Sequence, residues 1–379
     1  LSRDLHTAST TAPTWAEISR GALEHNFRGI RARVGPEREI WCAVKADAYG
    51  HGAVMVSRWL REMGAEGLSV ARASEGRELR EAGIGGPIAL LTPFLPEQAH
   101  EVVAADLEPL ITRRDQIEAL SGIWREVPTE VHVKIDTGMG RVGITPGEAL
   151  EFCRWVQDQP GVRIRGICSH FPVADEHEKS FSKRQIETLI TVAQDIRTAG
   201  VDFEHVHIAN SAGILDLPSS WGTLVRPGIM LYGLEPGPQV SDSVPLQPVM
   251  TLKTRVIYVK EVHAGAGVSY GLAWTAPELS RIATVAAGYA DGLPRVSSNR
   301  GEMIVRGQRV RQVGRICMDM AMINVTSVPG VESGDEVVIW GRQGDARVHV
   351  DEWARWCETI NYEMTTRIGP RVPRLPADL

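Results

Sequence analysis

The run Ile40-Trp-Cys-Ala-Val-Lys-Ala46, followed by Gly52-Ala-Val-Met-Val-Ser-Arg-Trp-Leu-Arg-Glu-Met63, decides how the chain is read. The first run has the length and composition of a buried strand. In the second, Val54, Trp59, Leu60 and Met63 keep roughly helical spacing, so a helix follows the strand. The same alternation recurs downstream. Short apolar runs at 67–70, 87–91, 108–111, 130–135, 163–168, 205–208 and 223–225 bring the strands to eight. Helical patterns at 74–82, 96–104, 113–120, 146–157 and 179–199 fall between them. Ser74 followed by Glu75 and Glu78 reads as a helix start. Strands alternating with helices imply βαβ units and a parallel sheet. Eight such units over about 210 residues fit a (β/α)8 TIM-like barrel. An open doubly wound sheet shares this periodicity.

Near 236–248 the texture changes. Glu235-Pro-Gly-Pro-Gln-Val-Ser-Asp-Ser-Val-Pro245 reads as a linker. Beyond it, runs at 253–260, 281–286, 302–310, 320–325 and 336–340 alternate as strands do, and only 351–359 is helical. The chain therefore divides into an α/β barrel at 1–245 and a C-terminal, mostly β domain at 246–379. The first ~18 residues are free to pack with the β domain instead.

The 379 residues are 43% hydrophobic and 23% charged, ordinary for a globular protein large enough to bury its own core. A net charge of −6 without a basic run argues against a polyanion-binding surface. No apolar run reaches ~18 residues, so no membrane span is expected. Residues 1–14 lack the apolar block of a signal peptide. Cys42, Cys153, Cys168, Cys317 and Cys357 form no CxxC pair and no zinc spacing. They fit reduced thiols in a cytoplasm.

On the barrel reading, polar residues collect just after strand ends. Lys45 closes the first strand, Arg141 follows the fifth and His170 the sixth. Asn210-Ser211 follow the seventh, and Arg226-Pro-Gly-Ile229 the eighth. Barrel enzymes carry their sites on this face, often with phosphate bound after the seventh and eighth strands. A lysine closing an apolar strand is either a charge snorkelling to the strand end or a Schiff-base amine. Beside a phosphate cradle it suits pyridoxal 5'-phosphate, whose aldehyde needs an amine and whose phosphate needs donors.

With these residues in view, the chain resembles the bacterial alanine racemases, barrel-type enzymes that use pyridoxal phosphate. The resemblance runs from Trp15-Ala-Glu-Ile18 to Asn361-Tyr-Glu363. Its most specific piece is Ala43-Val-Lys-Ala-Asp-Ala-Tyr-Gly-His-Gly52. Lys134-Ile-Asp-Thr-Gly-Met-Gly-Arg-Val-Gly143, Asn210-Ser-Ala-Gly213, Arg226-Pro-Gly-Ile229, Val268-Ser-Tyr-Gly271, Gly288-Tyr-Ala-Asp-Gly292 and Gly314-Arg-Ile-Cys-Met-Asp319 support it.

The resemblance implies roles. Lys45 is the cofactor's lysine and one of two bases; Tyr270 is the other. Two bases flanking a planar carbanion let a proton leave one face and return to the other. An ordinary tyrosine titrates near 10, so Tyr270 needs the polar surroundings that His170 and Arg226 supply in the family. Arg226 faces the pyridine nitrogen, which stays unprotonated because an arginine does not surrender its proton. Tyr49, Ser211, Gly228, Ile229 and Tyr362 form the phosphate cradle, with Asn210 beside it. Arg141 and Met318 meet the substrate, and Asp319 shares the latter's loop. Tyr289, Asp175, Arg295 and Arg315 match the substrate entrance.

Lys134 carries a carbamate in the family; pairing with Asp136 is the alternative on sequence grounds. A homodimer is implied, with Tyr270 reaching the partner subunit's barrel, and D-alanine production for peptidoglycan. His170 and His207 show no metal spacing. Two departures stand out: Met320-Ala321 follows Asp319, where the family often has Gln, and Ile167-Cys-Ser precedes His170. Competing readings are a broad-spectrum amino-acid racemase, a decarboxylase of the same architecture and a non-catalytic pyridoxal-phosphate-binding protein. Arg226 and Tyr270 oppose the second, and the β domain opposes the third.

Overall fold

The computed structural model describes residues 11–241 and 243–377. They divide into two compact units. One runs from Ala22 to Gln247; the other joins the described residues up to Gly21 to those from Pro248 onward.

The chain enters through strand β1 (Thr14–Ser19) and the helix Arg20–Val34. The barrel strands follow: β2 (Glu39–Ala43), β3 (Gly67–Val70), β4 (Ile88–Leu90), β5 (Glu108–Ile111), β6 (Thr129–Lys134), β7 (Val162–Cys168), β8 (His205–His207) and β9 (Leu224–Val225). They form one eight-stranded sheet in which β2 to β8 pair in sequence order and β9 pairs with β2, all parallel. Backbone bonds from Thr223 N to Val206 O and from Arg226 N to Ala209 O bring β9 round to β8. The eighth helical place holds only the 3-10 turn Ile229–Tyr232. Helix Arg20–Val34 packs beside that turn, where Asn26 Nδ2 donates to Leu231 O at 3.0 Å.

The barrel centre is filled rather than hollow. Trp41 is fully buried, and a Cβ on Gly67 would fall 2.3 Å from its ring, so glycine on the next strand makes its room. The rings of His132 and His205 stand edge-on to Trp41 at 5.4 and 6.1 Å.

The second unit is mostly β. Its strands are β10 (Met250–Val262), β11 (Gly267–Val268), β12 (Trp274–Thr275), β13 (Ser280–Val285), β14 (Glu302–Val305), β15 (Gln308–Val313), β16 (Ala321–Asn324), β17 (Glu336–Gln343), β18 (Ala346–Val348) and β19 (Arg374–Ala377). The order β17-β14-β15-β16-β13-β10, with β10 also paired to β17, rings six strands back on themselves. β1 adds antiparallel to β10 and parallel to β19. Ile282, Val268, Val313 and Met322 pack inside.

Three details depart from the sequence reading. The first strand ends at Ala43, before Lys45. The run at 302–310 is a hairpin, because Arg306 and Gly307 both take positive φ, at 49° and 74°. Asn361–Thr366 forms a second helix beyond Val350–Trp356. No helix among the described residues is long and apolar enough to cross a membrane.

Candidate active site

The segment after β2 carries the most unusual backbone in the chain. Ala46, Asp47, Ala48 and Tyr49 all have φ of 52–54°, one turn of left-handed helix built without glycine. Such a conformation presses Cβ against the following carbonyl. Carboxylates hold it in place. Glu75 Oε1 accepts from Ala46 N at 2.7 Å, and its Oε2 accepts from Ala71 N and Arg72 N at 2.7 and 3.0 Å. Asp47 Oδ1 accepts from Ala53 N at 2.7 Å, tying the turn to the next helix. His51 Nδ1 donates to the carbonyls of Ala48 and Tyr49, both at 3.0 Å.

Lys45 stands at the start of this turn, half-buried. Burial, then the Arg141 charge and, more weakly, Arg226, lower its pKa; Glu75 opposes them. Tyr49, at its end, is buried with its ring 5.0 Å from that of Tyr232. Tyr232 is fully buried and donates its hydroxyl to Ala43 O at 2.8 Å. Burial raises the Tyr49 phenol to about 12, so it is a donor.

Tyr49 meets the loops after β8 and β9. A Cβ on Gly228 would fall 2.7 Å from Tyr49 Oη and 3.8 Å from Ser211 Oγ. Gly228 N and Met230 N donate to Ser211 Oγ at 2.9 and 3.4 Å. Asn210 caps the helix Ser211–Asp216, its side-chain oxygen accepting from Gly213 N at 3.0 Å. Ile229 opens the turn beside Gly228. A phenol, a hydroxyl and backbone N–H groups thus gather around Gly228, where a side chain would displace Tyr49 Oη.

Arg226 is buried close by. Its Nη2 donates to Ser169 O at 2.9 Å and Ile208 O at 3.4 Å and lies 3.5 Å from His170 Nδ1; its Nη1 donates to His207 Nδ1. Burial first, then the Arg226 charge, hold His170 and His207 well below the usual imidazole range. Both rings are neutral at neutral pH. His207 is therefore a satisfied core histidine that also orients Arg226.

Lys134 is 4% exposed at the end of β6. Its Nζ lies 3.3 Å from Ile135 O and 3.5 Å from Ser169 Oγ. Burial brings its pKa down to about 8. No ion pair joins it to Asp136 among the described residues. The Asp136 carboxylate instead accepts from Gly138 N and Gly140 N at 2.9 and 3.1 Å, shaping the loop that carries exposed Arg141. Asp175 lies against Gly237.

The candidate residues of the other unit are exposed. Tyr270 is 70% exposed. Its turn has positive φ at Ser269, Gly271 and Leu272, and Ser269 Oγ donates to Arg315 O at 2.6 Å. The Arg315 guanidinium lies against Gly271. Met318 is 53% exposed, and its carbonyl accepts from Ala290 N at 3.0 Å, next to Tyr289. Asp319 pairs with Arg371 at 2.8 Å, and Arg371 also grips Asp291 with two bonds at 2.7 and 2.8 Å. Arg295 starts a 3-10 turn, and Tyr362 sits half-buried in the helix Asn361–Thr366.

Sequence reasoning missed Glu75, Tyr232, Glu108 and His132. Glu75 was visible only as a helix-start signal, which it also is. The others lie in apolar runs whose inward-facing polar positions carry no periodic mark.

Residues 18–236 match the profile of the alanine racemase N-terminal domain, and residues 249–376 that of the C-terminal domain. An alanine racemase of Desulforamulus reducens is 44% identical over 367 residues, 96% of this chain and 98% of that protein. One of Halothermothrix orenii is 42% identical over 366 residues, covering 96% and 97%. The crystal structure of the Bacillus anthracis alanine racemase with bound L-Ala-P is 35% identical, with a TM-score of 0.91 over 98% of this chain and 96% of that one.

Proposed function

The chain belongs to the alanine racemase family and interconverts L- and D-alanine, and we propose that it does so with pyridoxal 5'-phosphate and two bases, Lys45 and Tyr270. One juxtaposition carries this reading: a lysine with a lowered pKa stands on the same strand-end turn as a phenol that closes a donor-lined space with Gly228 and Ser211. Phosphate fits that space by the chemistry of its donors. Tyr49, Ser211, Gly228, Ile229 and Tyr362 would hold it, with Asn210 fixing the Ser211 helix.

When bound, pyridoxal phosphate supplies the electron sink that makes the α-proton of an amino acid acidic. The chain's residues do the rest. Lys45, whose burial lowers its pKa, moves a proton on one face of the substrate. Tyr270 moves it on the other. Arg226, held by His207, Ser169 and Ile208, would donate to the cofactor's ring nitrogen. A guanidinium donates and does not give up its proton, so Arg226 would leave that nitrogen unprotonated and would temper the electron sink the cofactor supplies. Arg141 and Met318 bind the substrate.

Tyr270 serves the barrel of a partner subunit. Its support is exposure: Tyr270, Leu272 and Met318 are 70%, 67% and 53% exposed, a group that a second copy would cover. Lys134 carries a carbamate formed with dissolved CO2, which its low pKa and the absence of an Asp136 ion pair favour.

Incubation of the loaded enzyme with L-alanine in heavy water tests the reaction. Deuterium at Cα of both enantiomers is expected. Folded, loaded protein that yields neither exchange nor D-alanine would sink the two-base reading.

A further inference from the structure

We propose that Glu108 and His132 are positioning residues that fix the tautomer of His207, and so hold Arg226 as a donor, through a one-way hydrogen-bond relay inside the barrel. Arg226 Nη1 donates to His207 Nδ1. A guanidinium has no acceptor, so this ring nitrogen is bare and the His207 proton sits on Nε2. His207 Nε2 lies 2.9 Å from His132 Nδ1, which must accept. His132 therefore keeps its own proton on Nε2, which donates to Glu108 Oε2 at 3.1 Å. Glu108 Oε1 accepts from Arg165 Nη1 at 2.5 Å, and this pair neutralises the carboxylate. A donor-only group at one end and an acceptor-only group at the other leave one consistent assignment, with both imidazoles neutral.

The site is built for this chain. His132 and His207 are 0% and 1% exposed, and Glu108 and Arg226 are each 7% exposed. A Cβ on Gly166 would fall 2.5 Å from His132 Nδ1, so glycine clears the ring's place. Arg165 lies over Trp41, 5.3 Å from the ring centre. His205 stacks on His132 at 6.5 Å and is itself bound to Thr223 Oγ1 at 3.2 Å, outside the relay. Reversing either tautomer would set two donors against each other between fully buried rings, which is costly.

The consequence for the reaction rests on Arg226 facing the cofactor's ring nitrogen; the relay does not. Glu108→Gln keeps the shape and removes the pure acceptor. Arg165 can only donate, so the amide oxygen stays with it and the amide N–H turns to His132, whose Nε2 must then accept; the mismatch passes along the chain to His207.

The test is nitrogen-15 spectroscopy of the histidines in the cofactor-free protein, followed by kcat of the loaded enzyme. In the natural sequence His132 and His207 are expected as neutral Nε2–H tautomers. In Glu108→Gln the His207 signal is expected to shift, although Glu108 does not touch His207, and kcat to fall about tenfold. Finding either ring protonated, or as Nδ1–H, in the natural sequence would overturn the relay whatever the variant does. An unchanged His207 in a folded Glu108→Gln protein would also overturn it. A shifted tautomer with unchanged kcat would leave the relay standing and remove Arg226 from the cofactor.

Discussion

The two halves of the candidate site are built in opposite ways. In the barrel, Arg226, His207, Tyr49 and Lys134 are buried, and each is held by a second buried group. In the β domain, Tyr270, Met318 and Tyr289 stand 70%, 53% and 43% exposed on tight turns fixed by backbone bonds. The barrel half is fixed from within: its charges and donors are held by hydrogen bonds and packing. The β half is rigid backbone presenting side chains to solvent. A group meant to move protons at a fixed distance needs walls. One copy of the chain thus supplies a buried, internally bonded set of side chains and, separately, an exposed one.

That contrast can be broken most directly by separating the two proposed bases. Lys45→Ala and Tyr270→Phe should each lose racemisation by about 10²–10⁴-fold, with lysine at the upper end. Mixing the two inactive variants and allowing subunits to exchange should restore up to about a quarter of the natural rate, because a mixed symmetric dimer regains one intact site. No recovery, with exchange shown by mass spectrometry, would place both bases in one copy.

The barrel half alone is tested by Gly228→Ala. The added methyl would force Tyr49 Oη out of its place. Affinity for pyridoxal phosphate, followed by absorbance, should fall about tenfold. Unchanged affinity would mean that phosphate lies elsewhere.

The smallest effect is expected at Lys134. A carbamate forms from the neutral amine, whose fraction grows as pH rises through about 8. The carbon-13 signal from labelled bicarbonate should therefore strengthen from below that pH to above it and vanish in Lys134→Arg. Activity of that variant should fall only about two- to fivefold, since the charge at this buried position is kept. A signal absent at every pH would remove the carbamate.

The same contrast governs what the sequence made legible. Barrel strands were readable because each is an apolar run between helical patterns, and Lys45, Ser211 and Arg226 because they sit at strand ends. Helix Arg20–Val34 carries a usable signal too: buried Leu23, Phe27, Ile30 and Val34 fall on one face, but four arginines interrupt the pattern. β1 was invisible as a strand because both its neighbours, β10 and β19, lie far along the chain. The left-handed turn had no local mark, since positive φ ordinarily calls for glycine and the residues are Ala-Asp-Ala-Tyr. Tertiary bonds from Glu75 override that preference. The relay was hidden for a related reason: nothing local separates an inward histidine that orients an arginine from one that only packs.

That turn has a stereochemical corollary. Positions 46 to 49 hold L-residues in the hand that suits their mirror images, at roughly 1–2 kcal/mol each. In a chemically synthesised chain, D-alanine would be the more comfortable residue at 46 and 48. The backbone beside Lys45 thus holds L-residues in the conformation that residues of the opposite configuration prefer.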